Sequence, residues 1–180
     1  MKKKIFIGLG IAFAFFIFFC TPLGWRLWPH TRQDVIERAF GNPQIFNVVM
    51  SSSQVTVQRL HDKPEGDQDL LADYTKDAPI PVSPEQAQKI KDLLESPSSY
   101  IWNFGRTCMP HYGVLFNFQS GGHTVRVALC FKCRIIAVFN GEDDNAQQIN
   151  NPDLFDPMRD QLVAISKTLF PNDKEIQSLP

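Results

Sequence analysis

The pattern of apolar and polar positions divides the chain at Arg26. Lys2, Lys3 and Lys4 are followed by sixteen uncharged residues, Ile5 to Cys20, and the apolar run continues to Trp25. A helix needs about 20 mostly apolar residues to cross a hydrocarbon core, and Ile5–Trp25 meets that length. The lysines would stay on the cytoplasmic side, with Trp25 and Trp28 at the far interface. An amphipathic core helix would show a polar face, and this run has none. Residues 1–26 are therefore expected to form a membrane anchor or signal segment. That places the chain single-pass in a bacterial inner membrane, touching lipid through Ile5–Trp25. Residues 27–180 would be one domain in the periplasm or outside. Secretion after signal cleavage is the alternative, since a signal peptide shares the charged and apolar regions. No small-x-small pair follows the run, however, and Phe19 rather than a small residue precedes Cys20, which argues against a lipidated cysteine.

Beyond Arg26 the periodicity shortens. Thr31 is placed to cap a short helix with Val35, Ile36, Ala39 and Phe40 on one side, stopped by Gly41 and Asn42-Pro43. The stretch Phe46–Leu60 contains Val55-Thr56-Val57, where alternation and β-branching favour a strand. His61–Val82 is polar and rich in Asp, Pro and Lys, and reads as a long surface loop with Tyr74 tucked in. Ser83-Pro84-Glu85-Gln86 is a helix start. Ala87, Ile90, Leu93 and Leu94 then mark one face up to the Ser96-Pro97 break. Tyr100–Phe104 is a short aromatic run. Val114, Phe116 and Phe118, then Val125, Val127, Leu129 and Phe131, alternate with other residues on either side of Ser120-Gly121-Gly122-His123. Ile135–Phe139 follows, closed by Asn140-Gly141. Such alternation with glycine turns predicts an antiparallel meander with one wet face. Asp156-Pro157 opens a last helix whose stripe is Met158, Leu162, Ile165 and Leu169, ended by Pro171. The expected fold class is α+β: an antiparallel β-meander sheet with two or three helices packed on one face, its core spanning about residues 45–171.

Composition narrows the function classes. All nineteen acidic residues follow Arg26, against fourteen basic ones, so this part is acidic, near −5. Nucleic-acid binding requires a basic stripe that gains from phosphate neutralisation, so no nucleic-acid partner is expected. Neither repeats nor low-complexity tracts are present.

Three cysteines lie in the expected domain: Cys108, Cys130 and Cys133. Three readings of them stay open. In an oxidising compartment neighbouring thiols pair, and a bridge from Cys108 to Cys130 or Cys133 would staple the sheet and leave one cysteine to be buried. Alternatively, Cys108-Met109-Pro110-His111 and Cys130-Phe131-Lys132-Cys133 give C-x-x-H and C-x-x-C pairs, a ligand set for tetrahedral zinc. Glycine does not follow either second ligand, unlike in zinc knuckles. The third reading, a thiol–disulfide oxidoreductase using the C-x-x-C, requires the motif at a helix N-terminus, whereas here it falls among strands. Among other candidates, Asn140, Glu142 and Asp144 alternate as in a calcium loop but lack its glycine and closing glutamate, so a solvated acidic loop is expected. His123 reads as an exposed turn residue, and His30 and His61 as loop residues with no partner in view.

The segment Cys108–Val114, with C-x-P-x-x-G-V spacing, and the C-F-x-C of Cys130–Cys133 resemble a group of uncharacterised bacterial proteins. The similarity spans about Val82 to Leu179 and includes the Leu169-Phe170-Pro171-Asn172-Asp173 ending. The resemblance implies a signal segment and a single domain around three cysteines, with no assigned activity, and His111 lies outside the shared pattern. The resulting expectation is a non-enzymatic envelope binding or structural module with a cysteine-stapled sheet.

Overall fold

The structure is a computed structural model that describes residues 29–63, 71–102, 108–149 and 153–180. The anchor expected over residues 1–26 lies outside them. Among the described residues, no helix is long and apolar enough to cross a membrane.

Thr31 caps the first helical segment with a reciprocal capping box. Its hydroxyl accepts from the Asp34 N–H, and the Asp34 carboxylate accepts from the Thr31 N–H at 2.7 Å. The α turn Arg32–Asp34 widens into a π turn over Val35–Ala39, and Gly41 ends it at φ +77°. Asn42-Pro43 then does more than stop this helix. The Asn42 side chain accepts from the Ile45 N–H at 3.0 Å, and Pro43 occupies the first turn of α1, Pro43–Ser51. A breaker for one helix is thus the start signal for the next. Strand β1 runs Gln54–Asp62. The expected loop His61–Val82 instead contributes two short edge strands, β2 (Tyr74–Lys76) and β3 (Ile80–Pro81). Helix α2, Pro84–Glu95, starts where the Ser83 hydroxyl accepts from the Gln86 N–H. The described part of the aromatic run, residues 100–102, forms no strand; Ile101 makes one isolated bridge to Leu154.

The meander is β4 (Val114–Ser120), β5 (His123–Cys130) and β6 (Ile135–Asn140), followed by β7 (Asp153–Leu154). Gly121 and Gly122, both at positive φ, close the β4–β5 hairpin on the Ser120–His123 pair. The sheet is six strands wide and antiparallel, in the order β2-β1-β4-β5-β6-β7, with β3 beside β2 along the outer edge of β1. Helix α3, Arg159–Leu169, is led in by a 3₁₀ turn at Asp156–Met158. A further helix, α4 (Lys174–Ser178), follows Pro171, with Asp173 as its cap.

Two cores result. On the first face Val57, Phe116, Phe118, Val127 and Val138 pack against Ile45 and Phe46 of α1, Ile90 and Leu94 of α2, and Leu162 and Ile165 of α3. This is the face the alternation pointed to. The second face is not the wet one expected. Leu60, Leu115, Ala128, Cys130, Ala137 and Phe139 are buried there beneath Leu71, Tyr74, Tyr112 and Leu154. Short edge strands, a 3₁₀ turn and a connecting segment, rather than α-helices, cover it.

Candidate functional site

The cysteines belong to this covered face. Cys130 is the last residue of β5, and its side chain is fully buried in the second core. The next four residues turn back toward β6, with Arg134 at φ +60°, and the Cys133 N–H donates to Cys130 Sγ at 3.3 Å. Cys133 is bonded to Cys108, 25 residues earlier, with Cα atoms 5.9 Å apart. The disulfide therefore skips the neighbouring thiol of the C-x-x-C and ties the segment entering β4 to the β5–β6 turn. Cys130 is a free, buried thiol. His111 is not among the sulfurs' contacts: it is half exposed, with Nδ1 2.8 Å from an Asp62 carboxylate oxygen. Of the four candidate zinc ligands, two are joined in a disulfide and a third is paired with a carboxylate. Among the described residues no three His, Cys, Asp or Glu are grouped to hold a metal ion. The C-x-x-C lies on a strand end and turn, not at a helix N-terminus, where a dipole would activate a thiol.

Hydrogen bonds hold the cover down around the disulfide. The Tyr74 hydroxyl accepts from the Tyr112 N–H at 3.2 Å and donates to the Pro110 carbonyl at 3.3 Å. Burial pushes the Tyr74 phenol up to about 12, against the lowering effect of the Tyr112 N–H, and the Asp62 charge adds to the rise. Tyr112 stands edge-on to Phe139, ring centres 6.4 Å apart, and its hydroxyl reaches Gln148. Aromatic rings thus replace helices as the lid of this core.

The other end of the second face is polar. Cross-strand register places Thr56, Asn117 and Arg126 in one row across β1, β4 and β5. The Asn117 amide donates to Thr56 at 3.3 Å and to Gln58 at 3.2 Å. Arg126 is only 4% exposed. Its Nη1 donates to Asp144 at 2.6 Å and its Nη2 to the Asp143 carbonyl at 2.5 Å. Asp144 also pairs with Lys76. Burial alone raises the Asp144 carboxyl, but Lys76 and Arg126 outweigh it and hold the group below its ordinary value. Glu142 accepts from the Thr124 hydroxyl at 3.1 Å. The acidic loop is solvated, with Glu142 and Asp143 exposed, and is also tied to the sheet by these contacts. Between them lies an open trough of about 240 Å³. A second hollow, toward the β4–β5 turn and His123, shares Gln119, Thr124 and Glu142 with it. The Arg126 Nε–H is buried without an acceptor.

Sequence reasoning concentrated on the cysteines and missed this trough. The available signal was Arg126, a full charge flanked by Val125 and Val127 in a strand whose same face runs on from it through apolar Ala128 and Cys130. A guanidinium in such a run requires buried partners.

The fold and these two regions define an α+β domain with a disulfide-stapled antiparallel sheet and a polar trough. No family model matches the chain, and neither a curated protein nor a solved structure matches it.

Proposed function

We propose that this chain is a membrane-anchored or exported module that acts by binding, on the non-cytoplasmic side of a bacterial membrane, through the polar trough of its sheet. The observation that carries the reading is the Cys108–Cys133 bridge beside the unpaired, buried Cys130. Disulfides persist in oxidising compartments, and this one pins the segment that covers the second core. The lysine-led apolar run at Ile5–Trp25 supplies a route to such a compartment. The trough supports binding rather than a purely structural role, because a sheet face lined by Asn117, Thr124 and Arg126 adds little to a core yet presents several fixed donors and acceptors.

The test is fractionation of cells producing the full chain, followed by alkylation under denaturing, non-reducing conditions and peptide mapping. Recovery with membranes or outside the cytosol, with Cys130 labelled, Cys20 labelled wherever the anchor is retained, and Cys108 joined to Cys133, is the expected result. A cytosolic protein whose Cys108 and Cys133 are both reduced would overturn the proposal.

A further inference from the structure

The trough's chemistry narrows what it can hold. Its charges balance: Lys76 and Arg126 face Asp144 and Glu142, and Asp144 already pairs with both cations. A polyanion would meet two carboxylates, and a polycation two bound bases, so neither gains a net field. The remaining lining, including Thr56, Gln58, Asn117 and Thr124, consists of hydroxyls and carboxamides, which both donate and accept. Pro79 is the one apolar side chain in the lining, so a lipid tail or aromatic ligand has no wall to rest on. The trough also lies on the face of the sheet, across strands whose backbone groups are bonded to each other. An extended peptide adds to a free edge, not to such a face.

Arg126 supplies the second observation. It is nine-tenths buried and lines the trough, and its Nε–H lacks an acceptor while both Nη atoms are bound. A buried donor without an acceptor is costly, so the guanidinium gains from a small shift that brings it a ligand oxygen from the trough.

We infer that the trough binds the hydroxyl face of a neutral saccharide, with Arg126 as the anchoring donor and the Thr and Asn/Gln side chains as partners for the ring hydroxyls. Each sugar hydroxyl donates and accepts at once, which matches this lining, and no charge need be buried. The inference rests on the reading of the trough as a binding surface. It holds equally for a free sugar and for a glycan of the cell envelope.

The test uses the full chain in phospholipid nanodiscs, because glycoside detergents would compete. Glucose, maltose, N-acetylglucosamine and its β-1,4 disaccharide are titrated while the Arg126 Nε–H resonance is followed by ¹⁵N NMR. Calorimetry gives the affinity. The expected result is saturable binding of at least one sugar that shifts this resonance. R126K keeps the charge beside Asp144 but removes the Nε–H, and should weaken binding about tenfold, as expected for a charged hydrogen bond. If R126K does not fold, Thr124→Val and Gln58→Ala, which retain Arg126, decide through a several-fold loss each. Two controls complete the set: a glucuronate and a short neutral peptide. If one of these shifts Arg126 and no neutral sugar does, the saccharide inference falls while the binding surface stands. If none of the probes perturbs the trough, both fall. Free sugars binding as tightly as the disaccharides would assign the site to soluble sugars, and preference for the disaccharides to envelope glycans; either outcome supports the inference.

Discussion

Arg59 Nε and an Asp173 carboxylate oxygen meet at 2.8 Å although 114 residues separate them. Arg59 is 3% exposed. Its Nη1 donates to the carbonyls of Leu60 and Gly113, and Nη2 pairs with Glu175. One buried guanidinium thus joins β1, the start of β4 and α4. Asp173 also caps α4 through the Ile176 N–H at 2.9 Å. Asp173→Ala removes the cap and leaves the buried cation with a single exposed carboxylate. Urea unfolding should show a loss of about 2–3 kcal/mol. Asp173→Asn retains a capping oxygen and should lose about half as much. Equal losses would mean that the charge, not the cap, is what matters.

Acid should act through the same pair and through Asp144. Burial raises the Asp173 carboxyl, but the Ile176 N–H and Arg59 outweigh it, so the group sits below its ordinary value, as Asp144 does. Carboxyls lowered on folding contribute stability that is present above their unfolded value, about 3.9, and lost as pH falls through the folded one. Stability should therefore decline below about pH 4. The double variant Asp144→Asn, Asp173→Asn should be less stable at neutral pH and show a shallower decline below it. An unchanged slope would show that other carboxyls drive the acid response.

Alkali tests the aromatic cover. Of three tyrosines, Tyr74 is pushed up to about 12. Its neutral form is favoured by folding, so its contribution is full below the ordinary phenol value of about 10 and is lost as pH rises through about 12. An ultraviolet phenolate titration of the folded protein should contain a late step that is absent in Tyr74→Phe. A Tyr74 that ionises with free tyrosine would mean that the segment over the second core opens in solution.

Several elements were legible from the sequence. The α2 start at Ser83-Pro84, the Gly121-Gly122 turn and the alternation of Val114, Phe116 and Phe118 each have a local cause, since capping, left-handed backbone and period-two burial involve near neighbours. Three features were not. Asn42-Pro43 was read as a terminator because the helix it starts, with Ile45, Phe46 and Val49 buried, is short and merges with the following strand's apolar run. Pairing of β2 and β3 with β1 depends on residues 12 to 25 positions apart whose side chains carry little alternation. The burial of Leu115, Ala128 and Phe139 came from Tyr74 in the edge strand β2 and Tyr112 in a connecting segment, and periodicity cannot report what such pieces will cover. For the cysteines, the existence of a staple followed from compartment logic, but the choice of Cys133 over Cys130 depended on which side of the turn each sulfur takes.

The disulfide sets a further expectation. A closed loop of this length is worth about 3 kcal/mol in the chain-entropy treatment. The double variant Cys108→Ala, Cys133→Ala should lose that much unfolding free energy in urea, and reductant should destabilise the native protein equally while leaving the variant unchanged. Cys130→Ala should cost about 1 kcal/mol. Cys130→Ser, which buries a hydroxyl among Leu115, Ala128 and Ala137, should cost more. If Cys130→Ser instead matches loss of the bridge, the sulfurs exchange partners.

The borders of the sheet bear on how copies of this protein coexist at high concentration. One side ends in strands of three and two residues, the shorter carrying Pro81, and the opposite side in a strand of two. Long, flat borders with free amides recruit neighbouring chains into shared ribbons, and short or proline-bearing ones do not. The interior strands, the most β-prone stretches of the sequence, are flanked on both sides by such stubs. Crowding should therefore leave these molecules dispersed, with fibre formation requiring that an outer strand first be peeled away.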